Sequence, residues 1–107
     1  MEGIEGRRLH CSVVVPVYNG ARSIERCLNA LAVQSVSSTL YEIIVVDDAS
    51  VDDTVHLVEQ WASVHTEVQV QLVGQANAGP AAARNHGAQH VGAPIVLFTD
   101  ADCAPMP

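Results

Sequence analysis

Glu42-Ile43-Ile44-Val45-Val46-Asp47-Asp48-Ala49-Ser50 is the stretch that decides the fold. Its four β-branched residues run together with no polar alternation. That pattern belongs to a strand buried on both faces, not to one with a solvated side. Two carboxylates stand at its C-terminal end, and small polar residues then open a turn. A strand apolar on both faces needs a covering layer on each side, so an α/β protein with a parallel sheet is expected.

Upstream, Cys11 to Val17 is a second Val-rich run, closed by Pro16 and by Asn19-Gly20. Apolar residues at Ala21, Ile24, Leu28, Leu31 and Ala32 then fall at helical spacing and predict a helix over 21–34. Residues 35–39 form a small polar loop. Downstream, Ser50 reads as an N-cap with Asp53 closing a capping box. The helix it opens extends to about Ser63, with Val55, Val58 and Ala62 on one face. Val68 to Val73 alternates and suits a strand nearer a sheet edge. After a loop over 74–79, Pro80 fits the first position of a third helix, where its missing N–H would be unpaired in any case. That helix runs to about His90. Residues 94–99 form a fourth strand that ends at Asp100-Ala101-Asp102. The order β-α-β-α-β-α-β with short crossovers predicts a Rossmann-like three-layer parallel sheet of strand order 3-2-1-4. Residues 1–10 read as a flexible N-terminal segment, and 11–107 as one domain.

The chain has 107 residues, 49% of them hydrophobic and 16% charged, which suits one packed domain rather than disorder. Its formal net charge is −7, and its five basic residues are all Arg: Arg7, Arg8, Arg22, Arg26 and Arg84. Nucleic acid is not an expected partner, because phosphate tracks need a basic footprint. A nucleotide remains accessible to an acidic protein through a divalent cation. Cys11, Cys27 and Cys103 are widely spaced and form no CxxC pair, which fits a reducing cytoplasm; Cys11 and Cys27 read as small buried apolar residues. No apolar run approaches the ~20 residues of a membrane span, and residues 1–10 contain no signal-peptide core.

Ligands of open α/β sheets bind outside the carboxyl ends of the strands. Three of the four strands end there in reactive residues: Tyr18-Asn19, Asp47-Asp48 and Asp100-Ala101-Asp102. Carboxylates two apart at a strand end can aim at one hard cation, Mg²⁺ or Mn²⁺, which would neutralise a diphosphate. Acidic residues after strands also serve as turn formers and caps. Asp48 is either an acceptor for a base or ribose or part of the turn towards Ser50. Asp47 reads as structural. Tyr18 can stack on a planar base or fill a gap above the sheet, and Arg84, early in the third helix, can reach a phosphate or pair with an Asp.

Other nucleotide and metal chemistries lack their residues. No G-x-G-x-x-G follows the first strand, and the absence of any Lys removes the P-loop and the receiver-domain pattern. His86 and His90 are four apart, but Gly87 occupies the place of the Glu in a zinc-protease HExxH motif.

Four segments in order resemble the motifs of family 2 glycosyltransferases. These are Ser12-Val13-Val14-Val15-Pro16-Val17-Tyr18-Asn19-Gly20, Ile43 through Thr54, Asn77-Ala78-Gly79-Pro80-Ala81-Ala82-Ala83-Arg84-Asn85, and Pro94 through Asp102. The resemblance implies a GT-A fold truncated after the fourth strand. It also implies transfer of a sugar, with inversion, from a nucleoside diphosphate sugar to an acceptor hydroxyl of a glycan or lipid, UDP being the default nucleotide. It places Pro16, Tyr18, Asn19 and Asp48 around the base and ribose, with Arg84 beside that pocket. Asp100 would face the ribose or sugar and share a Mg²⁺ or Mn²⁺ ion with Asp102. Members of the family continue beyond the Asp-x-Asp, and the catalytic general base is expected beyond Pro107. Cys103 stands where many relatives carry another Asp. An incomplete domain of this kind is expected to act at the cytoplasmic face of a membrane, to transfer poorly by itself, and to self-associate through exposed apolar surface. The alternative is a non-catalytic nucleotide-binding or structural fragment.

Overall fold

A computed structural model describes residues 11–33 and 41–100. Residues 1–10, 34–40 and 101–107, and with them the expected N-terminal segment, the first loop, Asp102 and Cys103, lie outside the described residues. The elements run β1 (Cys11–Val17), α1 (Ile24–Ala32), β2 (Tyr41–Asp47), α2 (Thr54–Val64), β3 (Gln69–Gly74), α3 (Pro80–Ala88) and β4 (Ile95–Phe98). The strands are all parallel in the order β3-β2-β1-β4, as the crossover pattern predicts.

Alternation along β1 and β2 divides the core into two layers. Val13, Val15, Val17, Ile43 and Val45 face α1 and α2, where Ile24, Leu28, Leu31, Val58 and Trp61 close over them. Val14, Ile44 and Val46 face α3 and pack on Ala83. Two helices therefore cover one face and one covers the other. The chain builds β1, β2 and β3 in one direction, then crosses back through α3 to place β4 on the far side of β1. This reversal creates a topological switch point between β1 and β4.

Two glycine and proline positions have a specific reason. A Cβ on Gly87 would lie 2.4 Å from a Val14 methyl and 2.9 Å from a Val46 methyl, so only glycine lets α3 approach the sheet this closely. Pro16 sits in a central strand without a backbone donor, an unusual position. Val14 accepts from the Thr99 N–H on the β4 side, and Pro16, two residues on, faces that same side. Pairing with β4 ends at Val14↔Phe98, so no ladder bond is demanded of Pro16.

Several element boundaries and residue roles differ from the sequence expectations; β3 and β4 differ by one residue at each end, and the helices differ more. α1 starts at Ile24 rather than at 21, because residues 21–23 form a turn in which Gly20 carbonyl accepts from Ser23 and Ile24. α3 ends at Ala88 rather than His90, with Gln89 and His90 closing a final tight turn on His86 and Gly87 carbonyls. α2 starts at Thr54, so Ser50 is not its N-cap and no capping box with Asp53 forms. The hydroxyl of Ser50 is taken by the Asn19 N–H instead, at 2.8 Å, and Asp52 bonds the Thr54 N–H at 3.0 Å. The buried face of α2 is Thr54, Val58 and Trp61, turned slightly from the Val55-Val58-Ala62 stripe. Trp61 is the reason: its ring fills the space against α1, and its N–H donates to Asn29. Of the two cysteines, Cys27 is buried as expected, whereas Cys11 is half-buried, and its burial still raises its thiol pKa.

Candidate functional site

A cavity of about 370 Å³ opens at the carboxyl ends of the strands, over the switch point. Its wall brings together Pro16, Tyr18, Asn19 and Asp48 with Asp100, from three different strand ends. Pro80 and Ala83 on the first turns of α3 close one side. Five of the site residues expected from sequence therefore meet around one space. Arg84 follows Ala83 directly but does not line the cavity; it is half-buried, and among the described residues nothing pairs with it.

The rim is held by bonds between two loops far apart in sequence. The Asn19 N–H donates to Ser50, and the Val51 N–H returns a bond to the Asn19 side-chain carbonyl at 2.8 Å. Next along, the Gly20 N–H donates to the Thr54 hydroxyl and the Ala21 N–H to the Asp52 carboxylate. Asn19 and Ala49 both adopt left-handed backbone, with φ of 49° and 66°. Asn tolerates that region; Ala does so at a cost of ~1–2 kcal/mol, so the surrounding bonds must hold it there. The side chain of Asn19 thus clamps the β1–α1 loop to the β2–α2 loop. That leaves Tyr18, about half exposed, as the aromatic face at the cavity mouth.

Asp48 anchors the opposite wall. One carboxylate oxygen accepts from Gln75 Nε2 and from the Ala78 N–H, both at 2.8 Å. The other accepts from the Gly79 N–H at 3.0 Å and from Asn77 Nδ2 at 3.3 Å. These donors favour the ionised form and hold the Asp48 pKa below the ordinary carboxylate value, the Gln75 amide contributing most and the Ala78 N–H next. Asp48 thus orders the loop that leads into α3 rather than the turn towards Ser50, whose N–H goes to Asp47. Its weakest partner is Asn77, which has a second acceptor in the Asp48 carbonyl at 3.1 Å. One acceptor position of Asp48 can therefore pass to a ligand N–H at small cost. Asp47, buried beside it, accepts from the Ser50 N–H at 3.1 Å and has its other oxygen unbonded. Sequence reasoning missed Gln75, Asn77, Ser50 and Asp52, whose contacts span 27 to 31 positions. The resembling motifs contain all but Gln75, so motif membership was the available signal.

The chemistry of a divalent cation fits what is present only in part. Asp48 is occupied by its four donors and is no metal ligand. Among the described residues, no group of three His, Cys, Asp or Glu side chains could hold a metal. Asp100, exposed at the cavity wall, is the one carboxylate there with free coordination capacity, and the second oxygen donor expected from sequence, Asp102, lies two residues on. The rings of His86 and His90 are engaged by Gln75 and Gln71 rather than by each other across a metal.

A parallel sheet with this strand order and a cavity over its switch point is an open α/β sheet of the kind that binds ligands there. The model of glycosyl transferase family 2 matches residues 12–107, and the chain belongs to that family. It is 37% identical over 94 residues to the glycosyltransferase AglE of Haloferax volcanii, covering 88% of this chain and 31% of that protein. It is 36% identical over 91 residues to the poly(ribitol-phosphate) β-N-acetylglucosaminyltransferase TarS of Staphylococcus aureus, covering 85% of this chain and 16% of TarS. Among solved structures, TarS 1–349 in complex with UDP-GlcNAc superposes with a TM-score of 0.81 at 34% identity, over 88% of this chain and 27% of the other. The mannosyltransferase PcManGT of Pyrobaculum calidifontis, in complex with GDP-Man and Mn²⁺, superposes with a TM-score of 0.84 at 38% identity, over 89% and 28%. The chain thus spans less than a third of each of these relatives. The fold is that of GT-A glycosyltransferases, as the sequence motifs imply.

Proposed function

We propose that this chain is the donor-binding part of an inverting glycosyltransferase and holds a nucleoside diphosphate sugar in the cavity over the β1–β4 switch point. The observation that carries this reading is the meeting of Tyr18, Asp48 and Asp100 around that one cavity. Tyr18 offers a face on which a base stacks, and Asp48 offers an acceptor for a base N–H. Pro16 shapes the floor, Asn19 holds the rim, and Arg84 stands beside the pocket within reach of phosphate. Asp100 and Asp102 would hold Mg²⁺ or Mn²⁺, and the bound ion supplies neutralisation of the departing diphosphate. Transfer joins an acceptor hydroxyl oxygen to the anomeric carbon as the bond from that carbon to the diphosphate oxygen breaks, the hydroxyl proton passing to a general base and the nucleoside diphosphate leaving, with the acceptor a glycan or lipid.

Asp48 can only accept, so it favours a base with a ring N–H on its pairing edge. Uracil, thymine and guanine have one; cytosine and adenine present a ring acceptor there, which would face the carboxylate lone pairs. We take a UDP-sugar as the donor, supported by the TarS complex, with GDP compatible by the same chemistry. A binding panel tests this reading. UDP, dTDP or GDP should bind at least about tenfold tighter than CDP and ADP, the equivalent of ~1.4 kcal/mol. CDP binding as tightly as UDP would remove the assigned role of Asp48.

We also place the protein in the cytoplasm, at the cytoplasmic face of a membrane. Among the described residues no helix is long and apolar enough to cross one. Copies are proposed to associate through β4, whose Ile95, Leu97 and Phe98 are each about half exposed.

A further inference from the structure

Two glutamines, on β3 and just past its end, face two histidines, on α3 and in the turn that closes it. Gln71 and Gln75 are four apart on the strand side that carries Val73, which packs in the α3 layer. His86 lies on α3, and His90 lies four positions on, in the tight turn that closes it. Gln71 Nε2 lies 3.3 Å from His90 Nδ1, and Gln75 Oε1 lies 2.9 Å from His86 Nδ1. The second contact continues inward, because Gln75 Nε2 donates to the Asp48 carboxylate at 2.8 Å.

Proton bookkeeping fixes every orientation along this line. A carboxylate only accepts, so Gln75 must turn its NH₂ towards Asp48. Its carbonyl then faces His86, and His86 must carry a proton on Nδ1. A glutamine amide is nearly symmetric in shape, and with the amide turned over, its oxygen would face the carboxylate acceptor to acceptor. Asp48 sets the sense of the amide, and the His86 N–H, the one donor to the Gln75 carbonyl among the described residues, fixes the other end and so where the NH₂ is presented.

We propose that His86 is a positioning residue that locks the Gln75 amide and thereby holds the Asp48 carboxylate in the orientation presented to the nucleotide base. The proposal rests on the donor-site reading for its functional half, but the lock itself is independent of any ligand. His86 does not line the cavity and would not touch the nucleotide. It acts from the second turn of α3, closing a ring that runs from Asp48 through Gln75 and His86, down α3 to Gly79, and back to Asp48. The same ring holds Pro80 and Ala83 against the cavity.

The test compares two substitutions in the full chain. His86→Asn keeps a donor N–H at about the place of Nδ1, and His86→Leu removes it. Carboxyl carbon NMR follows the titration of Asp48 in each, with amide spectra showing that both remain folded. With the lock present, Gln75 contributes most to the depression of the Asp48 pKa. The Asp48 titration should therefore move towards the ordinary carboxylate value in His86→Leu and stay at its wild-type position in His86→Asn. An unchanged titration in His86→Leu overturns the lock, and so does an Asn variant that behaves like Leu. UDP affinity is then measured by calorimetry on the same proteins. Loss of one oriented hydrogen bond should weaken it about fivefold in His86→Leu, with recovery in His86→Asn. Equal affinity in wild type and His86→Leu overturns the positioning role. Absence of UDP binding by the wild type, with the titration shift intact, overturns the donor-site reading and the base-positioning role while leaving the lock established.

Discussion

Asp48 shows how much a single carboxylate can organise. Four donors converge on it, and none of them lies within 26 residues in sequence. Its pKa, and that of Asp52, which the Thr54 hydroxyl and then its N–H hold down, lie below the usual 3.8 in the folded chain. A depressed folded pKa makes the unfolded chain bind more protons in acid. The stability these groups contribute is complete above the unfolded value near 3.8 and is lost as pH falls through the folded values. Urea unfolding should therefore show nearly constant stability from pH 7 to about pH 4.5 and a decline below pH 4. In Asp48→Asn that acid decline should be shallower; a decline as steep as in wild type would remove Asp48 from the account. The residue was legible in sequence as a site member, because it ends a buried strand. Its bonding was not, since the Gln75 amide and the 78–79 backbone reach it only after two further elements have packed.

The strands were the most legible elements, and the reason is local. Uninterrupted β-branched runs such as Ile43 to Val46 leave no alternative to a strand buried on both faces, and β1, β2 and β4 stand within about a residue of their expected limits. Helix starts were less legible, because the competition is tertiary. Ser50 has the local pattern of an N-cap, yet the Asn19 N–H from a loop 31 positions away takes its hydroxyl. α3 depends on an absence, since its contact with β1 and β2 is set by the missing side chain of Gly87. Gly87→Ala should place a methyl against Val14 and Val46 in a packed layer and destabilise the chain by about 1–3 kcal/mol, despite the better helix propensity of Ala. Thermal unfolding followed by circular dichroism reads this directly. An unchanged or raised midpoint would mean that α3 is free to move away from the sheet.

Taken together, the described residues join a well-covered centre to an exposed β4. β1 and β2 are buried almost throughout, whereas β4 exposes Ile95, Leu97 and Phe98. Leu97 pairs with Val13 in register and Phe98 with Val14, so the two side chains project to opposite faces of the sheet. Exposed apolar surface on both faces of an edge strand favours association. Sedimentation velocity should show concentration-dependent association of the chain, reduced in Leu97→Ser. A single monomeric species across the concentration range would contradict this. The global arrangement was legible from the order of elements, including the β3-β2-β1-β4 sheet and a cavity at the carboxyl ends of its strands; that the cavity lies over the switch point was not read from sequence.

The central claim is that this cavity holds a nucleoside diphosphate through a divalent ion. Calorimetric titration of the chain with UDP, with and without Mn²⁺, beside an Asp102→Asn variant, tests it most directly. The account predicts saturable binding that strengthens at least about tenfold with Mn²⁺ and loses that gain in the variant. A folded chain that shows no UDP binding with Mn²⁺ present, or one whose affinity is the same in the variant, would contradict it.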